Sequence, residues 1–154
     1  LHLLQRGNKS VATQNARITV KLTKLWKALR KEKPLSAKAL VSIQPYSLGE
    51  IQDVPLCFTD AAVLPDGSWV FSAAAEATDN SYQDGAFVGA ALGIVNAQGT
   101  LVQCQLLDAT YKIEGISVRV HNNTLELHLV TDGDNPAQAA VLLKTQWLGY
   151  PFVD

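Results

Sequence analysis

One arrangement of residues occurs twice in this chain, about 55 positions apart, and that spacing restricts the fold more than any other feature. The first copy runs Phe58-Thr59-Asp60-Ala61-Ala62, turns at Pro65-Asp66-Gly67, continues as an apolar strand and closes on Glu76-Ala77-Thr78-Asp79-Asn80. The second runs Lys112-Ile113-Glu114-Gly115-Ile116, turns at Asn122-Asn123, continues as an apolar strand and closes on Thr131-Asp132-Gly133-Asp134-Asn135. An acid opens each copy and an acid-plus-Asp-Asn group follows its hairpin. A repeat of this length holds four short strands, which is the content of one β-propeller blade.

The segments between the turns carry strand signals. Arg17 to Leu22 alternates polar and apolar residues with β-branched side chains, as a half-buried strand does. Ala39 to Leu48 reads as an edge or bulged strand because it contains Pro45. Four strands follow at Phe58–Leu64, Ser68–Ala75, Ala86–Val95 and Thr100–Leu107, with tight turns at Pro65-Asp66-Gly67 and Asn96-Ala97-Gln98-Gly99. Three more lie at Ile116–Val120, Leu125–Val130 and Ala139–Trp147. Thr23 to Lys31 is the exception. Leu22, Leu25, Trp26 and Leu29 recur at helical spacing, so a short amphipathic helix ended by Pro34 is expected.

The expected fold is all-β: about two and a half blades of a β-propeller, the C-terminal part of a ring of about six. Residues 1–48 would end one blade and carry the helical insertion, 56–108 would be a complete blade, and 112–147 three strands of the last. The remaining blades of a parent chain, or another copy, would close the ring. The chain has no methionine and opens on strand-like residues, the expectation for a fragment. A self-contained β-sandwich is the competing architecture, but it gives the doubled acid-turn-acid pattern no explanation.

Apolar residues make up 47% of the chain and charged residues 18%, a composition for buried strands rather than disorder. A net charge of −1 and a pI near 6.3 give no electrostatic reason to expect nucleic acid or an anionic membrane. No apolar stretch approaches the roughly 20 residues needed to span a bilayer, so membrane insertion is not expected. The basic run from Lys21 to Lys33 reads as a solvated face. Cys57 and Cys104 sit in apolar strands, where free buried thiols are the usual meaning and a single bridge is the alternative. A soluble protein of the periplasm or cytoplasm is expected.

The inward-placed acids are the candidates for chemistry. Asp60 and Glu114 hold the same place in their repeats, directly before the expected innermost strand, where loops would line a channel mouth. Carboxylates converging there could hold Ca²⁺, which takes several oxygen ligands. Glu76 and Tyr82 are further ligand-binding candidates, and Asp79, Asn80, Asp132, Asp134 and Asn135 could add oxygens. Asp79, Asn80, Asp134 and Asn135 are better explained as turn caps. No zinc spacing, nucleophile elbow or phosphate-binding glycine loop occurs.

Taken together, Phe58–Gly67, Phe71–Glu76, Asp79–Gly85 and Lys112–Ile116 resemble an uncharacterised bacterial β-propeller family. The Ile-Glu-Gly-Ile turn resembles the Glu-Gly turns of phytase-like, regucalcin-like and gluconolactonase-like propellers. In the lactonase-like families such a Glu binds a divalent metal, which the resemblance carries to Glu114, with Asp60 beside it. The function expected is a channel-mouth site for a small polar ligand, organised by Ca²⁺, with hydrolysis of a phosphoester or lactone in view. The alternative is a non-catalytic scaffold that binds a protein or peptide.

Overall fold

A computed structural model describes residues 1–7, 14–77, 85–107, 110–122 and 124–148. The fold is all-β, with three antiparallel sheets and one α-helix among the described residues. The chain divides into two compact units, Leu1–Ser47 and Leu48–Asp154.

The first unit is a three-stranded meander of β1 (His2–Gln5), β2 (Asn15–Val20) and β3 (Leu40–Tyr46). Helix α1 (Leu22–Arg30) and a 3₁₀ turn at Ala37–Ala39 connect β2 to β3. Pro45 is accommodated because β3 is an edge strand, so no ladder bond is needed on its outer side. Helix α1 spans almost the residues that its apolar spacing predicts.

The second unit holds two meanders. Five strands lie in the order β4 (Glu50–Ile51), β5 (Val54–Val63), β6 (Trp69–Ala77), β7 (Ala86–Val95), β8 (Leu101–Leu106). Three more follow in the order β11 (Leu142–Trp147), β10 (Thr124–Thr131), β9 (Ile113–His121). Three of the hairpins show distinct turn chemistry. Gln52 and Asp53, both at positive φ, make the β4–β5 connection, the backbone shape that suits a two-residue hairpin. At the β5–β6 turn Gly67 takes φ +84°, and the Asp66 carboxylate accepts from the Ser68 N–H at 3.0 Å. The Asn96 side chain accepts from the Thr100 N–H at 2.8 Å to close β7–β8.

Strand β6 is buried from Trp69 to Glu76, which is why its sequence shows no alternation. On one face Val70 joins Leu64, Ala90, Leu92 and Ile94, and these meet Ile113, Ile116, Leu125, Leu127, Leu129 and Trp147 of the three-stranded sheet. The second unit's core therefore lies between its two sheets. On the opposite face Phe58, Trp69 and Phe71 form an aromatic cluster with centroids 5.0 to 5.7 Å apart. The Phe71 ring covers Gly93, leaving no room there for a Cβ. Gly89 is covered in the same way by Ile51.

Two β-bulges set where the repeated acids lie. Phe58 pairs with Ala73 and Asp60 with Ser72, so Thr59 is an extra residue in β5. Val130 pairs with Gly115 and Thr131 with Ile113, so Glu114 is the extra residue in β9. Asp60 and Glu114 thus lie within strands, at or beside bulges. The expectation that they precede the innermost strands on mouth loops is corrected. A bulge re-aims a side chain without ending the strand, and a one-dimensional pattern reads that break as a turn.

Gly93→Ala would force its new methyl into the Phe71 ring. The expected cost is about 1–3 kcal/mol, read as a lowered midpoint in urea unfolding with an unchanged slope.

Candidate functional site

The bulges place the repeated acids on two different tasks. In β5, the Thr59 hydroxyl donates to the Ile113 carbonyl at 2.8 Å and lies 2.7 Å from the Ser72 hydroxyl. Asp60 accepts from the Ala61 N–H at 2.8 Å through one oxygen, and from the Ile116 N–H at 2.9 Å through the other. Strand β9 is an edge strand on the side away from β10. Its outward N–H and C=O at Ile116 and Ile113 are satisfied by side chains of β5 instead of by another strand. This polar seam joins the two sheets, and both Asp60 oxygens take part in backbone bonds.

Glu114 takes part in a second arrangement, centred on Lys112. The Lys112 side chain is only 6% exposed. Its ammonium lies 2.6 Å from a Glu76 carboxylate oxygen and 3.3 Å from a Glu114 oxygen, and it donates to the Asp134 carboxylate. Glu76 is equally buried, whereas Glu114 and Asp134 reach partly into solvent. Three separate pieces of chain therefore deliver three carboxylates to one ammonium: the end of β6, the bulge of β9 and the loop after β10.

That loop is built for the purpose. The Asp132 N–H donates to the Lys112 carbonyl at 3.1 Å, and the Asp132 carboxylate accepts from the Asp134 N–H at 3.0 Å. Asp134 adopts φ +54°, a left-handed conformation that turns its side chain back towards Lys112. Asn135 caps the next turn by accepting from the Ala137 N–H at 3.0 Å. At the loop's base the Thr131 hydroxyl accepts from the Val141 N–H at 2.9 Å. Asp132 and Asn135 are thus turn caps; the expectation that Asp134 is one is corrected, because its carboxylate accepts from the Lys112 ammonium.

Burial alone would push the Lys112 ammonium down, since a charge loses hydration inside a protein. The hydrogen bond to Asp134 and the charges of Glu114 and Asp134 outweigh it, so its pKa is raised. Lys112 is therefore a fixed cation at neutral pH, unsuited to act as a base or an amine nucleophile. With all four groups ionised, three carboxylates around one ammonium leave two negative charges in excess.

Of the candidate residues, Glu76 and Glu114 come together at Lys112 and Asp60 serves the seam. Tyr82, Asp79 and Asn80 lie outside the described residues. Among the described residues no group of three or more His, Cys, Asp or Glu side chains has the geometry to hold a metal by itself. The carboxylates at Lys112 have the hard-oxygen chemistry that Ca²⁺ prefers, but the ammonium stands between them. Lys112, at the centre of this group, is the residue that motif reading passes over. A signal was present: from Ala39 to Val118 it is the only cation, against nine acids.

Another concave feature lies at the other margin of the two sheets, where β8 and β11 are edge strands. A cleft of about 340 Å³ is lined by Gln103, Gln105 and Leu107 on one side and Thr145, Gln146 and Trp147 on the other. Gln103 and Gln105 pair with Ile94 and Leu92, so they share the face of β8 that looks to the core.

Across residues 1–136 the chain matches the sequence profile of a family of unknown function, DUF6910. The chain belongs to DUF6910. No curated protein and no solved structure matches it. The profile spans both doubled motifs of this DUF6910 member, including the turn that carries Asp134.

Lys112→Met should destabilise the protein by about 3–5 kcal/mol, because Glu76 would remain buried without its counter-charge. Chemical denaturation measures this. Since the folded pKa of Lys112 is raised, its contribution is fully present below the ordinary lysine value of 10.5. It is lost only as pH rises above that value, so the gap between wild type and Lys112→Met should be level from neutrality to that limit. Asp60→Asn should cost about 1–3 kcal/mol by presenting an amide N–H₂ to one of two backbone donors.

Proposed function

We propose that this DUF6910 protein is a propeller-type binding protein whose ligand site is the acidic group around Lys112. Its ligand would be a small polar molecule with a cationic group, or a hard cation such as Ca²⁺. The observation that carries this reading is the convergence of Glu76, Glu114 and Asp134 from three separate elements, with negative charge in excess and two of the three acids open to solvent. A partly open group with one sign of charge in excess raises the local concentration of the opposite ion and so favours binding a further cation.

The two partly exposed carboxylates, Glu114 and Asp134, would contact the ligand, and Glu76 would keep Lys112 in place. Lys112 supports this arrangement by preventing the three acids from repelling one another when nothing is bound. The resemblance of Ile113-Glu114-Gly115-Ile116 to a metal-binding Glu-Gly motif of lactonase-like propellers, here set at a β-bulge, would favour a divalent ion as ligand. Such an ion would polarise a phosphoester or lactone oxygen and lower the pKa of bound water.

The cleft between β8 and β11 favours a second reading, a scaffold that binds an extended peptide. Two edge strands border the cleft, and an added strand could take up their outward backbone groups.

Calorimetric titration of the whole chain with Ca²⁺ alone tests the first reading, alongside thermal unfolding with Ca²⁺ and with EDTA. Binding heat and a raised Tm are expected, with affinity reduced about tenfold or more in Glu114→Gln, which removes one ligand charge. A Tm indifferent to Ca²⁺ and EDTA, with no heat, would remove the cation from the proposal. A peptide scaffold would instead lose its partner on Gln105→Arg and keep it in Glu114→Gln.

A further inference from the structure

We infer that helix α1 is a docking element for an anionic lipid surface. Leu22, Trp26 and Leu29 recur at i, i+4 and i+7 and form one stripe, with Leu25 beside it. A stripe of this kind normally faces a core. Here no residue of α1 is buried, and Leu22, Trp26 and Leu29 are 55%, 55% and 58% exposed. Three large apolar side chains in a row on a nine-residue helix are more than scattered surface residues.

The charge around the stripe says what covers it. Lys21, Lys24, Lys27, Arg30, Lys31 and Lys33 lie within or directly beside the helix in the chain, with Glu32 the one acid between them. The remaining residues carry seven cations and 13 acids, so the near-neutral total conceals a strongly basic segment on an acidic protein. Arg30 stacks over the Trp26 ring at 5.6 Å, which places a cation directly at the apolar stripe. Leucine and tryptophan on one side with lysine and arginine around them is the composition of a helix that lies in the plane of a membrane interface.

Duplex nucleic acid would use the cations and leave Leu22, Trp26 and Leu29 in water. An acidic bilayer uses both: headgroups meet the cations, and the acyl boundary takes the stripe. With nine residues against the roughly 20 needed to span, α1 would lie on the bilayer and not cross it. The contact would be reversible and salt-sensitive, since three apolar residues alone anchor weakly. This inference concerns the first unit and does not depend on the Lys112 site.

The test is co-sedimentation of the whole chain with phosphatidylcholine vesicles, with and without phosphatidylserine, combined with tryptophan fluorescence. Trp69 and Trp147 are buried, so Trp26 is the tryptophan that would report by a blue shift, and Trp26→Phe should bind without that shift. Binding is expected only with phosphatidylserine, weakening about tenfold or more as salt approaches physiological strength. Trp26→Ser combined with Leu29→Ser should weaken it about tenfold or more, with the circular dichroism spectrum and Tm retained because both positions are exposed. Absence of vesicle binding would overturn the proposal. So would equal binding by the double-serine variant, or by phosphatidylcholine alone. Duplex DNA that displaces the vesicles and binds the double-serine variant unchanged would likewise overturn it.

Discussion

An edge strand needs something to complete its hydrogen bonds, and in this protein that need is met by side chains. Strand β9 offers the Ile116 N–H and the Ile113 carbonyl on the side away from β10. Thr59 and Asp60 of β5 satisfy both, because a bulge at Thr59 directs these two consecutive residues towards β9. The join holds the two sheets of the second unit with their apolar faces together, so the core from Val70 to Trp147 depends on it. It also closes the edge against pairing with another chain, which an exposed strand would invite.

Once β9 is held against β5, its own bulge becomes consequential. Glu114 leaves the regular register and reaches Lys112, where Glu76 and Asp134 also arrive. A buried ammonium is costly on its own, and so is the buried Glu76 carboxylate. Together they are tolerated, and the two further acids turn a neutral pair into a negative one. The raised pKa of Lys112 has the same origin: its neighbours' charges exceed the loss of hydration. The geometry thus assigns the repeated acids unequal roles, with Asp60 joining sheets and Glu114 forming a charged site.

Much of the fold was legible because strands and turns are local events. Pro65-Asp66-Gly67 and Asn96-Ala97-Gln98-Gly99 each carry a capping side chain and a glycine able to take positive φ, and both turns form where those residues stand. Helix α1 was legible from the spacing of its leucines and Trp26. Thr59 and Glu114 were not legible as bulged residues, because a bulge exists only relative to the partner strand. The partnership of Lys112 with Glu76 and Asp134 was hidden for a related reason: 36 and 22 residues separate them, and no periodicity links positions on different strands. What betrayed Lys112 was its isolation among acids rather than any motif.

The sequence by itself determined an all-β chain, its turns, helix α1 and the doubled acidic pattern, because propensity, alternation and turn chemistry act over a few neighbouring residues. Tertiary structure alone decided which acid does what. Whether a carboxylate joins two strands or faces a buried lysine depends on register between strands and on which backbone groups lack a partner. Those quantities come into existence only when the sheets meet.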